Sequence, residues 1–308
     1  MTSGLRKSFL LEDFLSVNRY SSVRGKFALE HGHSLRTKID DSVGVKKPKM
    51  SEELVQWVRH LYAYKYACTF AHGKVVLDVG CGTGYGVNEL SAAAQIVIGI
   101  DIWREGILYC HSRYCDKAFF IRASALNLPI RSNLFDLVTS FQVIEHFDTK
   151  MVSAYLGEMK RVLKKDATFI VTTPNRKLRL LPFQKPWNPD HKKEYDAREL
   201  RRELESIFVN VKILGLSATK EAYLIEYYRV RQNPFYAYLI RPTVSLIRRF
   251  LPDLAFIKVL YARLRLEKDM LYKTRRSKTC SFNITLKDFH ISSKDLETCL
   301  DLYGICEK

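Results

Sequence analysis

No apolar run in the chain approaches the about 18 residues that a membrane-spanning helix needs. The N-terminal stretch carries Arg6, Lys7, Glu12 and Asp13 where a secretory leader would be apolar. The expectation is a chain that is neither secreted nor membrane-spanning. The seven cysteines (68, 81, 110, 115, 280, 299 and 306) are scattered and form no CxxC pair, which argues against a disulfide framework or a structural zinc and fits reduced thiols in the cytoplasm. Glycine (14) and proline (9) are scarce in 308 residues, which excludes collagen-like repeats and low-complexity disorder. What is present is a 47% hydrophobic share, enough for a sizeable core.

Acidic residues are in short supply, and the net charge is +17. The excess is uneven: residues 229–278 hold 13 Lys and Arg against three acids, Asp253, Glu267 and Asp269. A local field of this kind attracts phosphate-bearing partners such as anionic headgroups or nucleic acid. It also fits a solvated basic helical face.

Residues 1–50 are polar and without periodicity, and read as an N-terminal arm. From residue 51 the spacing of Leu54, Trp57, Val58, Leu61 and Tyr62 predicts a helix, with Glu52 and Glu53 in its first turn. Short β-rich runs at 74–79, 96–101, 119–121, 134–140, 168–173 and 209–216 then alternate with helical stretches. One of these carries an apolar face at Val152, Tyr155, Leu156, Met159, Val162 and Leu163; another opens on a capping pair, Asp196 and Glu199. Such alternation argues for an α/β fold with a parallel sheet wrapped on both faces. Residues 219–278 have a helical, Tyr- and Arg-rich texture broken at Pro234, Pro242 and Pro252, and residues 300–306 read again as a strand. The organisation expected is therefore an arm (1–50), a core (51–218), a basic helical insertion or lid (219–278) and a C-terminal segment (279–308) that completes the core sheet.

After the first expected strand the chain reads Val76, Leu77, Asp78, Val79, Gly80, Cys81, Gly82, Thr83, Gly84. Glycines at alternate positions let the backbone turn tightly and let a ligand come closer than any Cβ would allow, while the following helix offers free N–H groups. Two nucleotide loops are excluded by spacing. A dinucleotide fingerprint needs a third glycine where Tyr85 stands, and no Lys-Ser/Thr pair follows for a triphosphate loop.

This stretch closely resembles the first motif of the class I S-adenosylmethionine-dependent methyltransferases, which is an acid, one residue and then GxGxG. The likeness spans about residues 51–216 and the last strand. It implies S-adenosyl-L-methionine as cofactor and a Rossmann-like, seven-stranded, mostly parallel sheet with helices on both faces and a helical insertion before the last strand. Carried over by position, it assigns Asp78, Gly80, Cys81, Gly82 and Gly84 to the cofactor loop. Asp101, with Ile102 beside it, falls where an acid accepts the ribose hydroxyl protons. Ser124, Ala125 and Leu126 fall in the adenine loop, where the family often has Asp in place of Ser124. Gln142 falls in the loop over the cofactor, and Tyr64, within His60, Leu61, Tyr62, Ala63 and Tyr64, on the helix covering its methionine end. Arg161 to Lys165 and Thr172 to Arg176 resemble the family's "RVLKPGG" and "STPNR" stretches, with Asp166 and Ala167 replacing the glycine pair. Asn188 to Tyr195 resembles a segment found in a subset that modifies glycans or small molecules.

Methyl transfer is an in-line displacement at a carbon already activated by its sulfonium, so positioning matters most. For a hydroxyl acceptor a general base assists. The candidates are His146 and His191, with Glu145 beside the first. His146 fits equally a tether for the next helix, and His191 a surface or capping residue; Asn175 fits either acceptor orientation or backbone pairing. In some quinone-biosynthesis relatives an E-x-x-E-H arrangement binds a divalent metal. Here Gln142 holds the first position, and the loss of one carboxylate weakens a hard-cation site, so no metal is expected.

The leading expectation is O-methylation of a small molecule, glycan or lipid-linked acceptor, with residues 229–278 as lid or as a peripheral contact to an anionic membrane. A nucleic-acid methyltransferase is the second reading, weakened because no RNA-binding module and no NPPY-like tetrad after the fourth strand is present. A cofactor-binding partner protein that has lost catalysis is the third.

Overall fold

The computed structural model describes residues 51–186, 188–230 and 284–308. The expected arm and residues 231–278 of the expected insertion lie outside these residues. Helix α1 (Ser51–Ala71) leads into β1 (Val75–Val79), α2 (Tyr85–Leu90), β2 (Ile96–Asp101), α3 (Arg104–Tyr114), β3 (Phe119–Arg122) and β4 (Phe135–Phe141). A 3-10 turn (Ile144–His146), α4 (Thr149–Val162), β5 (Leu163–Pro174), α5 (Arg176–Arg179), α6 (Ala197–Glu205), β6 (Asn210–Ala218) and α7 (Lys220–Val230) follow. A second 3-10 turn (Leu286–Asp288), β7 (Phe289–Ser292) and β8 (Asp301–Glu307) close the chain.

These strands form one sheet in the order β3-β2-β1-β4-β5-β8-β6-β7. The pairs from β3 to β5 are parallel, whereas β8 runs antiparallel between β5 and β6. The sheet therefore has eight strands, one more than the seven expected. The addition is β7, four residues long, which pairs antiparallel with β6 at the edge. At four residues its alternation of Phe, His, Ile and Ser is too short to stand out in the sequence. The final strand lies at 301–307 as anticipated, and Gly304 sits opposite both Val171 and Ile213.

Alternation along the strands divides the core into two. Val76, Val97, Leu137 and Ile170 pack with α1, α2 and α3, while Leu77, Ile98, Val138 and Phe169 pack with α4 and α6. The expected face of α4 is the buried one, and Asp148 caps it by accepting from the amides of Lys150 and Met151. The capping box of α6 forms in full between Asp196 and Glu199. At the departure from the glycine pair, Asp166 itself adopts φ 59°, the left-handed conformation a glycine would have supplied and one that Asp tolerates.

Helix α7 is tied down by charge. Arg59 of α1 donates to Glu226 of α7 at 2.6 Å and lies 2.8 Å from Asp301 at the start of β8, with all three side chains buried. The Asp301 contact is off the Nε–H axis, so it is an ion pair and not a hydrogen bond. Against the upward push of burial, Arg59 and Arg229 hold the Glu226 carboxyl down at about 2. Burial also drives the neighbouring His60 imidazole down to about 3, with Arg59 adding to the effect. Breaking one member of a buried pair strands the others. Arg59→Met is accordingly expected to lower unfolding stability by about 3 kcal/mol, read from the urea midpoint. An unchanged midpoint would contradict the network.

Candidate active site

Strand order reverses beside β1, between β2 and β4, and this opens a crevice at the carboxyl ends of the strands. Into it runs the loop from Gly80 to Gly84. The amides of Gly80 and Cys81 donate to the carbonyl of Ile100 at 2.7 and 3.0 Å, fixing the loop to β2. Gly82 has φ 55° and Gly84 φ 76°; a Cβ on Gly82 would meet nothing within 4 Å, whereas one on Gly84 would meet Cys110 Sγ at 2.7 Å. Only the first of the two faces open space.

Asp101 ends β2 at the crevice. Its Oδ2 accepts from the Gly82 amide and its Oδ1 from the Trp103 amide, both at 2.8 Å. The carboxylate thus aims the glycine loop. Burial raises its pKa, opposed by those two amides. Ile102 beside it is 61% exposed, an apolar platform at the crevice wall. Ser124 to Leu126 form a turn after β3, in which the Leu126 amide donates to Ser124 Oγ at 3.3 Å.

Asp78 is fully buried below the loop. Thr139 Oγ1 donates to its Oδ1 at 2.7 Å and the Tyr64 hydroxyl to its Oδ2 at 3.1 Å. Tyr64 is wedged edge-on against Tyr85 and Phe141, in space left by the missing side chain of Gly86. The structure therefore places Asp78 and Tyr64 together as the loop's support. Burial lifts the Asp78 carboxyl from 3.8 to about 7, against the two hydrogen bonds it receives. Between those values the unfolded chain has lost this proton while the folded chain keeps it, so stability falls as pH rises through the window and levels off above it. Asp78→Asn lacks that slope. The melting temperature of the variant should gain on the wild type from about pH 4 to pH 7 and hold a constant gap beyond; a gap independent of pH would contradict a buried acid here.

Gln142, after β4, has φ 59°, unfavourable for a side-chain-bearing residue and held by Thr172 Oγ1 at 3.3 Å and Asp301 Oδ1 at 3.4 Å from its amide nitrogen. Strain of this kind collects at functional loops.

Next comes a second group, which the sequence spacing separates and the fold assembles. Glu145 is 1% exposed, His146 lies at the surface, and the ligating atoms of Glu145, His146 and His191 all lie within 4.8 Å of one another. The imidazole rings meet edge to face with centroids 5.1 Å apart. Burial lifts the Glu145 carboxyl to about 8, and burial with the adjacent His191 lowers His146. Glu145 and His146 follow β4 as Asp101 ends β2, and these strands are parallel, so both groups stand at the same carboxyl edge of the sheet. The loop bearing His191 is pinned by the amides of Lys192 and Lys193, which donate to the Glu145 carbonyl at 2.8 and 3.2 Å. Asn175 does not face the crevice: its side chain donates to the carbonyls of Leu296 and Cys299 and caps α5, which decides for backbone pairing.

Sequence reading missed Arg179 as an orienting residue. Its Nε donates to both oxygens of Glu194 at 3.2 and 3.1 Å, and Glu194 in turn lies 2.9 Å from His191 Nδ1. The His191–Glu194 spacing of three was the available signal.

Residues 77–171 match a family described as a methyltransferase domain. Over 159 residues the chain is 33% identical to a probable S-adenosylmethionine-dependent methyltransferase of Mycolicibacterium smegmatis, covering 52% of this chain and 61% of that protein. It is 30% identical over 128 residues to a fatty-acid O-methyltransferase of the same organism, covering 40% and 45%. It is 32% identical over 124 residues to a probable tRNA methyltransferase 9B of Bos taurus, covering 38% and 26%. The chain thus spans about three fifths of the length of the first of these relatives and less than half of the other two.

Proposed function

We propose that this chain, whose core is a class I S-adenosylmethionine-dependent methyltransferase domain, transfers the cofactor's methyl group to a hydroxyl of a small molecule, glycan or lipid-linked acceptor. The observation that carries the acceptor chemistry is the meeting of Glu145, His146 and His191 at the carboxyl edge of the sheet that Asp101 also occupies. S-adenosylmethionine brings its own leaving group. The protein's part is to hold the cofactor by the glycine loop and Asp101, with Ile102 against the adenine, and to bring one acceptor oxygen in line with the methyl carbon. That oxygen must shed a proton as it attacks, and it would do so beside the two imidazoles.

The name of the fatty-acid O-methyltransferase relative supports a lipid-like acceptor, as does the +10 charge of residues 229–278. The tRNA methyltransferase relative points to nucleic acid, so relatives' names alone do not choose. What favours the smaller acceptor is the His191 loop, with its likeness to the glycan- and small-molecule-modifying subset. No described helix is long and apolar enough to cross a membrane.

The test is transfer of a labelled methyl group from S-adenosylmethionine to fractions of native cell extract. The expected result is label in the organic-soluble or carbohydrate fraction. Label confined to nucleic acid would replace this proposal by the RNA or DNA reading, and cofactor binding with no label in any fraction would favour a non-catalytic partner protein.

A further inference from the structure

Three side chains of the cluster are arranged as ligands with their supports already in place. His146 Nδ1 lies 3.1 Å from the Asp190 carbonyl, and His191 Nδ1 lies 2.9 Å from Glu194 Oε1. Both partners accept, so each Nδ1 carries the proton and each Nε2 is left with a lone pair. Glu194 is fixed by Arg179. Imidazoles held through one nitrogen by a carbonyl or carboxylate are the usual support of a metal-binding histidine. Beside them Glu145 Oε2 accepts from Thr173 Oγ1, while its buried Oε1 has no hydrogen-bond partner. A buried acceptor without a donor costs free energy that a cation would recover.

We infer that Glu145, His146 and His191 form a divalent-cation site selective for transition metals. Ligand atoms within 4.8 Å of one another would draw in by up to about 1.4 Å, through side-chain rotation, to the roughly 3.4 Å that separates ligands around a tetrahedral ion bound at about 2.0–2.2 Å. The donor set is one oxygen and two nitrogens, which suits Zn²⁺ or Co²⁺ and not the all-oxygen preference of Mg²⁺. A second carboxylate in the place of Gln142 would have favoured the harder ion. Instead its amide is turned away to Thr172 and Asp301. Three protein ligands, with His146 at the surface, leave a fourth coordination place for water or an acceptor, the arrangement of a catalytic and not a structural site. A cation there would occupy both Nε2 lone pairs and would itself acidify the acceptor hydroxyl it polarises, in place of an imidazole taking the proton. That role rests on the proposed methyl transfer; the binding does not.

The test is calorimetric titration of the full chain, freed of metal, with Zn²⁺, Co²⁺ and Mg²⁺ separately, on wild type, His146→Ala, His191→Ala, Glu145→Gln and Glu194→Gln. Bound Co²⁺ is followed also by its visible absorption. S-adenosylmethionine affinity is measured on the same samples. The expected result is one Zn²⁺ or Co²⁺ per chain, a Co²⁺ spectrum of low symmetry, and no saturable Mg²⁺ binding. Loss of any ligand should weaken binding by at least tenfold, and Glu194→Gln by about 10- to 100-fold through His191. His146 stands at the surface, so its variant keeps the question answerable if a buried variant fails to fold. Stoichiometric binding that no variant weakens, absence of Zn²⁺ and Co²⁺ binding, or Mg²⁺ bound as tightly as Zn²⁺ would each overturn the site. Cofactor binding without metal binding would overturn this inference alone; metal binding without cofactor binding would overturn the methyltransferase reading instead.

Discussion

A Gly82→Val chain is expected to fold and to show S-adenosylmethionine binding weakened about 100-fold or more, about 2.8 kcal/mol. The two halves of that result have separate causes. A Cβ on Gly82 would meet no protein atom within 4 Å, so the substitution starts in open space. Its φ of 55° still imposes left-handed strain of roughly 1–2 kcal/mol, which lowers the melting temperature without abolishing the fold. The valine methyls would point into the space kept clear for the cofactor. Gly84→Val serves as the contrast: its Cβ would run into Cys110 and Phe120, so it should lose the fold along with the ligand. Full cofactor affinity in a folded Gly82→Val chain would mean that the crevice above this loop is not the cofactor site.

His146→Ala and His191→Ala are expected to reduce turnover at saturating cofactor by roughly 10²–10⁴ while leaving S-adenosylmethionine affinity within a few-fold of wild type. Neither side chain is bonded to the glycine loop. His146 reaches the Asp190 carbonyl and His191 reaches Glu194, so losing either leaves the glycine loop's own bonds in place. His191→Ala also frees Glu194, whose charge remains paired with Arg179, and the cost in stability should be small. The split between kcat and cofactor Kd is the readout that a merely structural role would not give. If both variants keep full turnover, the acceptor oxygen does not meet this cluster and catalysis proceeds by placement alone.

Much of this architecture was legible from residue spacing because local pattern and global position agree. The run Ile96–Asp101 is β-branched and apolar, and the strand has those bounds. Asp196 and Glu199 announced the α6 cap three residues apart, and both reciprocal bonds formed. The glycine loop was readable because alternate glycines leave few other uses for the backbone. What stayed hidden depends on partners distant in sequence. Arg59 and Glu226 are 167 residues apart, and no periodicity reports that they and Asp301 share one buried pocket. Ordinary-looking residues also took unexpected duties: Asp101 anchors the loop through the Gly82 amide, and Asp78 supports it from below. The cluster of Glu145, His146 and His191 was visible only as separate candidates. Their approach depends on the loop at 188–195 folding back onto the Glu145 carbonyl, a backbone contact with no sequence signature.

The central claim is that the crevice above the Gly80–Gly84 loop holds S-adenosylmethionine with Asp101 at its ribose. It is tested most directly by calorimetric titration of the full chain with S-adenosylmethionine, wild type beside Asp101→Asn. The account predicts one site per chain in the wild type and a loss of about 1.5–3 kcal/mol of binding free energy in the variant, since a charge-assisted contact is removed and the loop amide loses a strong acceptor. A wild-type chain that binds no S-adenosylmethionine, or an Asp101→Asn chain that binds it as tightly as the wild type, would contradict it.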